Sequence, residues 1–150
     1  MLYALMGLGL SLITGILNIP NFAHGALFAV GAYFLVSFAV FIGNFWVALL
    51  VAPLGVAILG LAIEYAGIRR LYVAGHDYQL LFTFGLALIL SESIILVWGP
   101  IGSSYLPPQA LRGGADLGFT MYPKYRLFVM VAAGLLVFAT WLFLEKTRYG

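Results

Sequence analysis

No Asp, Glu, Lys or Arg precedes Glu64. An uncharged run of that length cannot build a water-soluble surface, since ordinary soluble chains carry about a quarter of their residues as charged side chains. Across the full 150 residues the charged share is 8% and the hydrophobic share 64%, with a mean hydropathy of +1.10. A lipid bilayer tolerates such a chain. There each backbone N–H and C=O must find its partner within a helix or a closed barrel, because hydrocarbon supplies none. The apolar runs are continuous rather than alternating, so they predict helices and not barrel strands.

A helix needs about 20 apolar residues to cross roughly 30 Å of hydrocarbon. Five segments come close or qualify: residues 2–19, 22–42, 45–68, 80–98 and 125–144. The fold class expected is therefore all-α, a polytopic transmembrane bundle of about five spans, with residues 1–150 forming one membrane domain. The first segment lacks the basic leader of a secretory signal and runs on into more membrane sequence, so it reads as a retained span. With no cysteine, disulfides and thiolate metal sites are excluded.

The links differ in kind. Gly43–Asn44 is a tight turn, and residues 69–79 form a short link holding Arg69, Arg70, His76 and Asp77. Residues 99–124 are rich in Gly, Pro and Ser, the composition of an aqueous loop. Five alternating spans put the Arg69 link on the same side as Lys146 and Arg148. The positive-inside rule makes that side cytoplasmic, against Arg112, Lys124 and Arg126 on the other. Small residues recur four apart, as Gly7, Ser11 and Gly15 and again as Ala48, Ala52 and Gly60 with Val56 between, a pattern that lets helices pack closely.

Between the first two spans stands "NIPNFAHGALFAVGAYF", which begins at Asn18. Pro20 lacks an N–H and fits the first turn of a helix, while Asn18 or Asn21 can cap it. The chain is thus expected to break near Asn18–Phe22 and restart as a helix. Two readings compete. One is a capped turn near the interface, with Asn21 and His24 bonded to neighbouring helices. The other is a broken-helix element lining a solute path, its free amides suited to an anionic group.

Glu92 lies inside the fourth span between Ser91 and Ser93. An ionisable group at mid-span costs about 2.5–3.5 kcal/mol, more than the roughly 0.6 kcal/mol an interhelical hydrogen bond returns. It is either a solute-path group or a protonated, amide-like bridge between helices. His24 has no Cys, Asp or Glu near it in sequence, which argues for a structural hydrogen bond rather than a metal site. Glu64, five residues before Arg69, is either its ion-pair partner or a plain interfacial charge. Trp46, Trp98, Tyr122, Tyr125 and Tyr149 sit at span ends, where amphipathic rings anchor at the interface. No Walker-type phosphate loop, nucleophile–base pair or basic nucleic-acid stripe is present, and no cofactor is implied.

These residues resemble a family. "NIPNFAHGALFAVGAY" is similar to the N-x-x-N-F-A-H-G…G-A-Y signature of bacterial permeases of branched-chain amino-acid ABC transporters, the LivH/LivM type. "EYAGIRRLY", "LLFTFGLALILSE", Gly99–Pro100 and the closing "TRYG" resemble further stretches of that family, so the likeness covers nearly the whole chain. Here "IRRLY" stands where the family commonly has a proline after the first arginine. The resemblance implies an amino-terminal part of a permease, cut at least at the carboxyl end. It further implies separate ABC ATPase subunits, met through Thr147, Arg148 and Gly150, and a second permease subunit, either a paralogue or a second copy. A periplasmic or extracellular solute-binding protein would face residues 99–124, and the setting is the bacterial cytoplasmic membrane. Translocation-path or structural polar residues are then Asn18, Asn21, His24 and Glu92. Other readings are an importer of amides or urea, a passive channel, a membrane enzyme using Glu92 and His24 as acid and base, and a fragment with packing roles alone. A channel of the paired half-helix kind would need two Asn-Pro-Ala tripeptides, and the chain has none.

Overall fold

The computed structural model describes residues 6–7, 9–11, 21–71, 75–102, 105–116 and 121–146. The expected first span lies outside these residues, apart from helical backbone at 6–7 and 9–11. Among the described residues four helices are long and apolar enough to cross a membrane: His24–Ile42, Phe45–Leu71, Asp77–Trp98 and Lys124–Leu142. The chain is an all-α polytopic bundle, as its composition requires. Its elements are α1 (His24–Ile42), α2 (Phe45–Ile63), a π-helical turn (Glu64–Ile68), α3 (Arg69–Leu71), α4 (His76–Trp98), a 3₁₀ turn (Gln109–Leu111), β1 (Gly114–Asp116), β2 (Met121–Pro123) and α5 (Lys124–Lys146). They fall into two compact units, Leu12–Tyr105 and Met1–Ser11 with Leu106–Gly150.

In the first unit α1 and α2 are joined by the two-residue turn the sequence predicts. Gly43 closes α1 in the left-handed conformation (φ 71°), and its N–H donates to Ala39. Asn44 then opens α2, its side chain accepting from the N–H groups of Trp46 and Val47 at 2.9 and 3.4 Å. Ala48 and Ala52 are buried, and an added Cβ at Gly31 would meet Val56 Cγ2 at 3.3 Å. At Gly55 it would meet Phe34 Cδ2 at 3.0 Å. Ala48, Ala52 and Val56 of the small-residue stripe therefore form a packing surface, whereas a Cβ added at Gly60 would meet open space. The stripe's counterpart at Gly15 lies outside the described residues.

On its other side α1 packs on α4. Val30, Leu90 and Ile94 form the buried cluster, with Tyr33, Phe34, Leu86 and Trp98 against it. Trp98 donates its indole N–H to Ser37 Oγ at 2.7 Å and lies 5.2 Å from the Tyr33 ring. Its place at a span end suggested an interfacial anchor. Instead it closes the core, because Ser37 supplies a partner for the indole N–H that water would otherwise provide. Trp46, 46% exposed, fits the anchor role.

Two boundaries differ from expectation. α4 starts at His76 rather than at residue 80, so most of the expected 69–79 link is helical. Gly75 (φ 104°) turns the chain, and Asp77 in the first turn complements the helix dipole. α2 leaves α-geometry at Glu64 for one π turn before Arg69. Gly67 in that turn lies so close to α4 that a Cβ there would fall on the Phe82 ring.

The second unit holds a feature the Gly- and Pro-rich loop concealed. β1 and β2 pair antiparallel, with Gly114 opposite Pro123, Ala115 opposite Tyr122 and Asp116 opposite Met121. Gly113 (φ 88°) precedes the hairpin, and its carbonyl accepts from the Lys124 N–H at 3.0 Å, tying the hairpin to the start of α5. Three-residue strands carry too little periodicity to read from sequence.

Candidate functional site

The polar lead-in to α1 is built locally. Asn21 Oδ1 accepts from the Ala23 N–H at 3.0 Å, and the Asn21 carbonyl accepts from the His24 N–H at 3.2 Å. Residues 21–23 are non-helical, Ala23 is fully buried, and helix begins at His24. Asn21 thus satisfies amides that the new helix cannot, and it does so within the turn instead of reaching across to a neighbouring helix. The His24 side chain is half-buried. Asn18, Pro20 and the expected ATPase-facing residues Thr147, Arg148 and Gly150 lie outside the described residues.

Three segments meet at this end of the unit. The Phe22 ring stands edge-on to Phe84 at 6.5 Å, placing the lead-in against the first half of α4. Gly67 of the π turn contacts Phe82, and Gln79 Nε2 donates to the Leu71 carbonyl at 3.0 Å. Gln79 and Thr83 are both buried, 5% and 3% exposed, and the Thr83 hydroxyl donates back to Leu80 at 3.1 Å. Gln79 Oε1 is buried without a hydrogen-bond partner, a costly condition in a low-dielectric interior. Sequence reasoning missed both residues. Their signal was a pair of polar side chains four apart, one helical turn, at the head of an apolar run.

Glu92 stands elsewhere. Ser91 and Ser93, its neighbours, donate to the carbonyls of Ala87 and Ile89 at 2.8 and 2.6 Å, a return to their own helix that satisfies both hydroxyls. Glu92 itself is exposed, on the stripe shared with Leu88, Ile89 and Leu96. From Phe84, level with the lead-in, α4 rises about 12 Å before it reaches Glu92, at about 1.5 Å per residue. Glu92 thus lies farther along α4 than Asn21 and His24, on the face turned from α1. The unit does not bring Glu92 and His24 into hydrogen-bond reach, so it offers no acid–base pair. Nor does any group of three or more His, Cys, Asp or Glu side chains gather to hold a metal among the described residues.

Glu64, Leu61, Tyr65 and Arg69 line a cavity of about 460 Å³ at the π turn. The Arg69 guanidinium carbon lies 5.9 Å from the centre of the Tyr65 ring, within cation–π range.

Four long apolar helices among the described residues, the first of them opened by a polar lead-in, define a multi-pass membrane protein. Residues 1–150 match the family described as branched-chain amino acid transport system / permease component, and the chain belongs to that family. The high-affinity branched-chain amino acid transport system permease protein LivM of Escherichia coli (strain K12) is 29% identical over 118 residues, covering 75% of this chain and 27% of LivM. BraD of Pseudomonas aeruginosa, named as the corresponding permease protein, is 23% identical over 160 residues, covering 99% of this chain and 52% of BraD. The LivM of Salmonella typhimurium matches with 29% identity over 118 residues. The chain thus spans about half or less of the curated relatives it matches. These relatives are transport components, not enzymes. No solved structure matches the chain.

Proposed function

We propose that this chain is part of the membrane path of an ATP-driven importer of branched-chain amino acids or related small polar solutes, in the bacterial cytoplasmic membrane. The observation that carries the reading is the match to the permease family along all of residues 1–150. Hydrolysis then belongs to separate ATPase subunits, since the chain has no phosphate-binding loop. A second permease subunit, as a paralogue or second copy, and a solute-binding protein outside the membrane complete the assembly.

The geometry is in keeping with this role. A zwitterion cannot cross hydrocarbon unaided, and its charged ends need fixed dipoles or buried polar groups. The start of α1 at His24, with the Asn21 turn and buried Thr83 and Gln79 nearby, concentrates such groups at one end of the unit. Glu92, on the outer face of α4, meets either the path or a neighbouring span once the transporter is assembled.

The test is uptake of labelled leucine into vesicles holding the complete permease with its ATPase and binding-protein partners. Accumulation should require ATP and stop when nucleotide is withheld. Uptake that continues without nucleotide identifies a passive channel, and uptake of urea or amides in place of leucine reassigns the solute.

A further inference from the structure

We propose that the π turn at Glu64–Ile68 is a two-register switch, latched by Gln79 and Phe82 of α4, that swings the exposed arginine segment Arg69–Leu71 relative to the start of α1. The helix that begins at Phe45 runs on through this turn to Leu71. The Arg69 N–H donates to the Glu64 carbonyl, an i→i+5 bond, so the turn holds one residue more than α-geometry would. Such turns are rare and short, which makes the contacts that hold this one informative. Gly67 lies against the Phe82 ring so closely that any Cβ would fall on it. Just past the turn, Gln79 Nε2 donates to the Leu71 carbonyl at 3.0 Å.

Relaxation of the turn to α-geometry, with no residue lost, shifts the register by one. Residues beyond the turn then swing by about 100°, the rotation of one residue at 3.6 per turn. The Leu71 carbonyl leaves Gln79, Gly67 turns off the Phe82 ring, and the Ala66 methyl turns toward it. Both latch contacts therefore belong to the π register. The latch is also only half satisfied. Gln79 is 5% exposed and its Oε1 has no hydrogen-bond partner, a cost borne only while the side chain stays buried. Release of Leu71 frees the amide to turn toward the head of α4, where Asp77 and Tyr78 are exposed. The π register thus gains one hydrogen bond and leaves one acceptor unmet, which narrows the gap between the two registers.

Motion at the latch reaches α1 through one further contact. Phe84, two residues past Phe82, stands edge-on to Phe22 in the lead-in to α1. At the other end Arg69 and Arg70 are exposed, so the swinging segment carries two cations. In a transporter that alternates between states, this element would pass movement between the arginine segment and the lead-in. Only that use of the switch rests on the permease reading, and the register change itself is measured without transport.

The chain has no cysteine, so an introduced pair reports without background. Arg70→Cys on the swinging segment and Leu88→Cys on the exposed face of α4, both nitroxide-labelled in the full chain in detergent, give a distance by double electron–electron resonance. The labelled parent should show two distances, one for each register. Gly67→Ala, which forces the Phe82 ring away, should raise the share of the second distance several-fold. Deletion of Ala66 removes the extra residue while leaving residues 69–71 near their present orientation, so it should collapse the distribution to the first distance alone. A thermal-unfolding midpoint matching the parent keeps Gly67→Ala interpretable, and where it does not match, the deletion decides. A single distance in the parent that Gly67→Ala leaves unchanged overturns the proposal, as do two distances that persist after Ala66 is deleted.

Discussion

The two faces of α4 treat polar side chains in opposite ways. On the face toward α1, Gln79 and Thr83 are buried, the Gln79 amide nitrogen and Thr83 hydroxyl donate to backbone carbonyls, and Trp98 bonds Ser37. On the other face Glu92 stands exposed among Leu88, Ile89 and Leu96. On the inner face, then, the donors are met by backbone carbonyls and a neighbouring hydroxyl, with Gln79 Oε1 left unpaired, while the one ionisable group at mid-span is directed away from the core. The difference teaches that helix packing cannot absorb a carboxylate as it absorbs a hydroxyl. The carboxylate needs a partner from outside this helix pair.

That contrast can be broken or sharpened by substitution. The largest effect is expected from comparing Ile94→Ala with Leu96→Ala. Ile94 sits in the core cluster, so its truncation should cost about 2–5 kcal/mol through lost contacts and a cavity. Leu96 is 84% exposed, and its truncation should fall within about 0.5 kcal/mol. Denaturant unfolding of the detergent-solubilised protein measures both, and equal costs would erase the distinction between the faces.

Next comes Glu92→Leu, which should separate folding from function. Removing the charge should ease membrane insertion of α4 by about 2.5–3.5 kcal/mol in a glycosylation-reporter insertion assay. Leucine uptake by the complete transporter should nonetheless fall, because the position loses its only polar group. Normal uptake with leucine at 92 would make Glu92 irrelevant to transport. The smallest effect belongs to Trp98→Phe, which removes the hydrogen bond to Ser37 while keeping an aromatic ring. A loss of about 0.6 kcal/mol is expected, the average for an interhelical hydrogen bond in a membrane. Unfolding of Trp98→Phe alone and combined with Ser37→Ala reads the coupling.

Much of this architecture was legible in the sequence because a bilayer leaves so few choices. An uncharged run up to Glu64 forces helices, and span length then fixes their approximate bounds. Gly43–Asn44 could be read as a turn because only glycine takes φ near 71° at little cost and asparagine caps the helix that follows. The alternation of small residues on α2 foretold its packing face. The family likeness was legible as well, in the polar motif around Asn21 and His24 that no packing rule demands. The hairpin of β1 and β2 was not, since segments of three residues leave no pattern and their pairing lies between residues well apart in the chain.

What sequence alone determined was the solvent and the spanning helices, because both follow from the hydropathy and the backbone needs of one segment at a time. Only the tertiary structure decided which way polar groups face. Trp98 inward to Ser37, Gln79 back to Leu71, Glu92 outward and Arg69 over the Tyr65 ring all depend on helix rotation and on a single π turn. Rotation is set by contacts such as Phe82 on Gly67 and Phe34 on Gly55, where a ring from one helix lies against the bare backbone of another. The low amphipathic contrast of a membrane helix hides that rotation from its sequence, since lipid and protein interior are almost equally apolar.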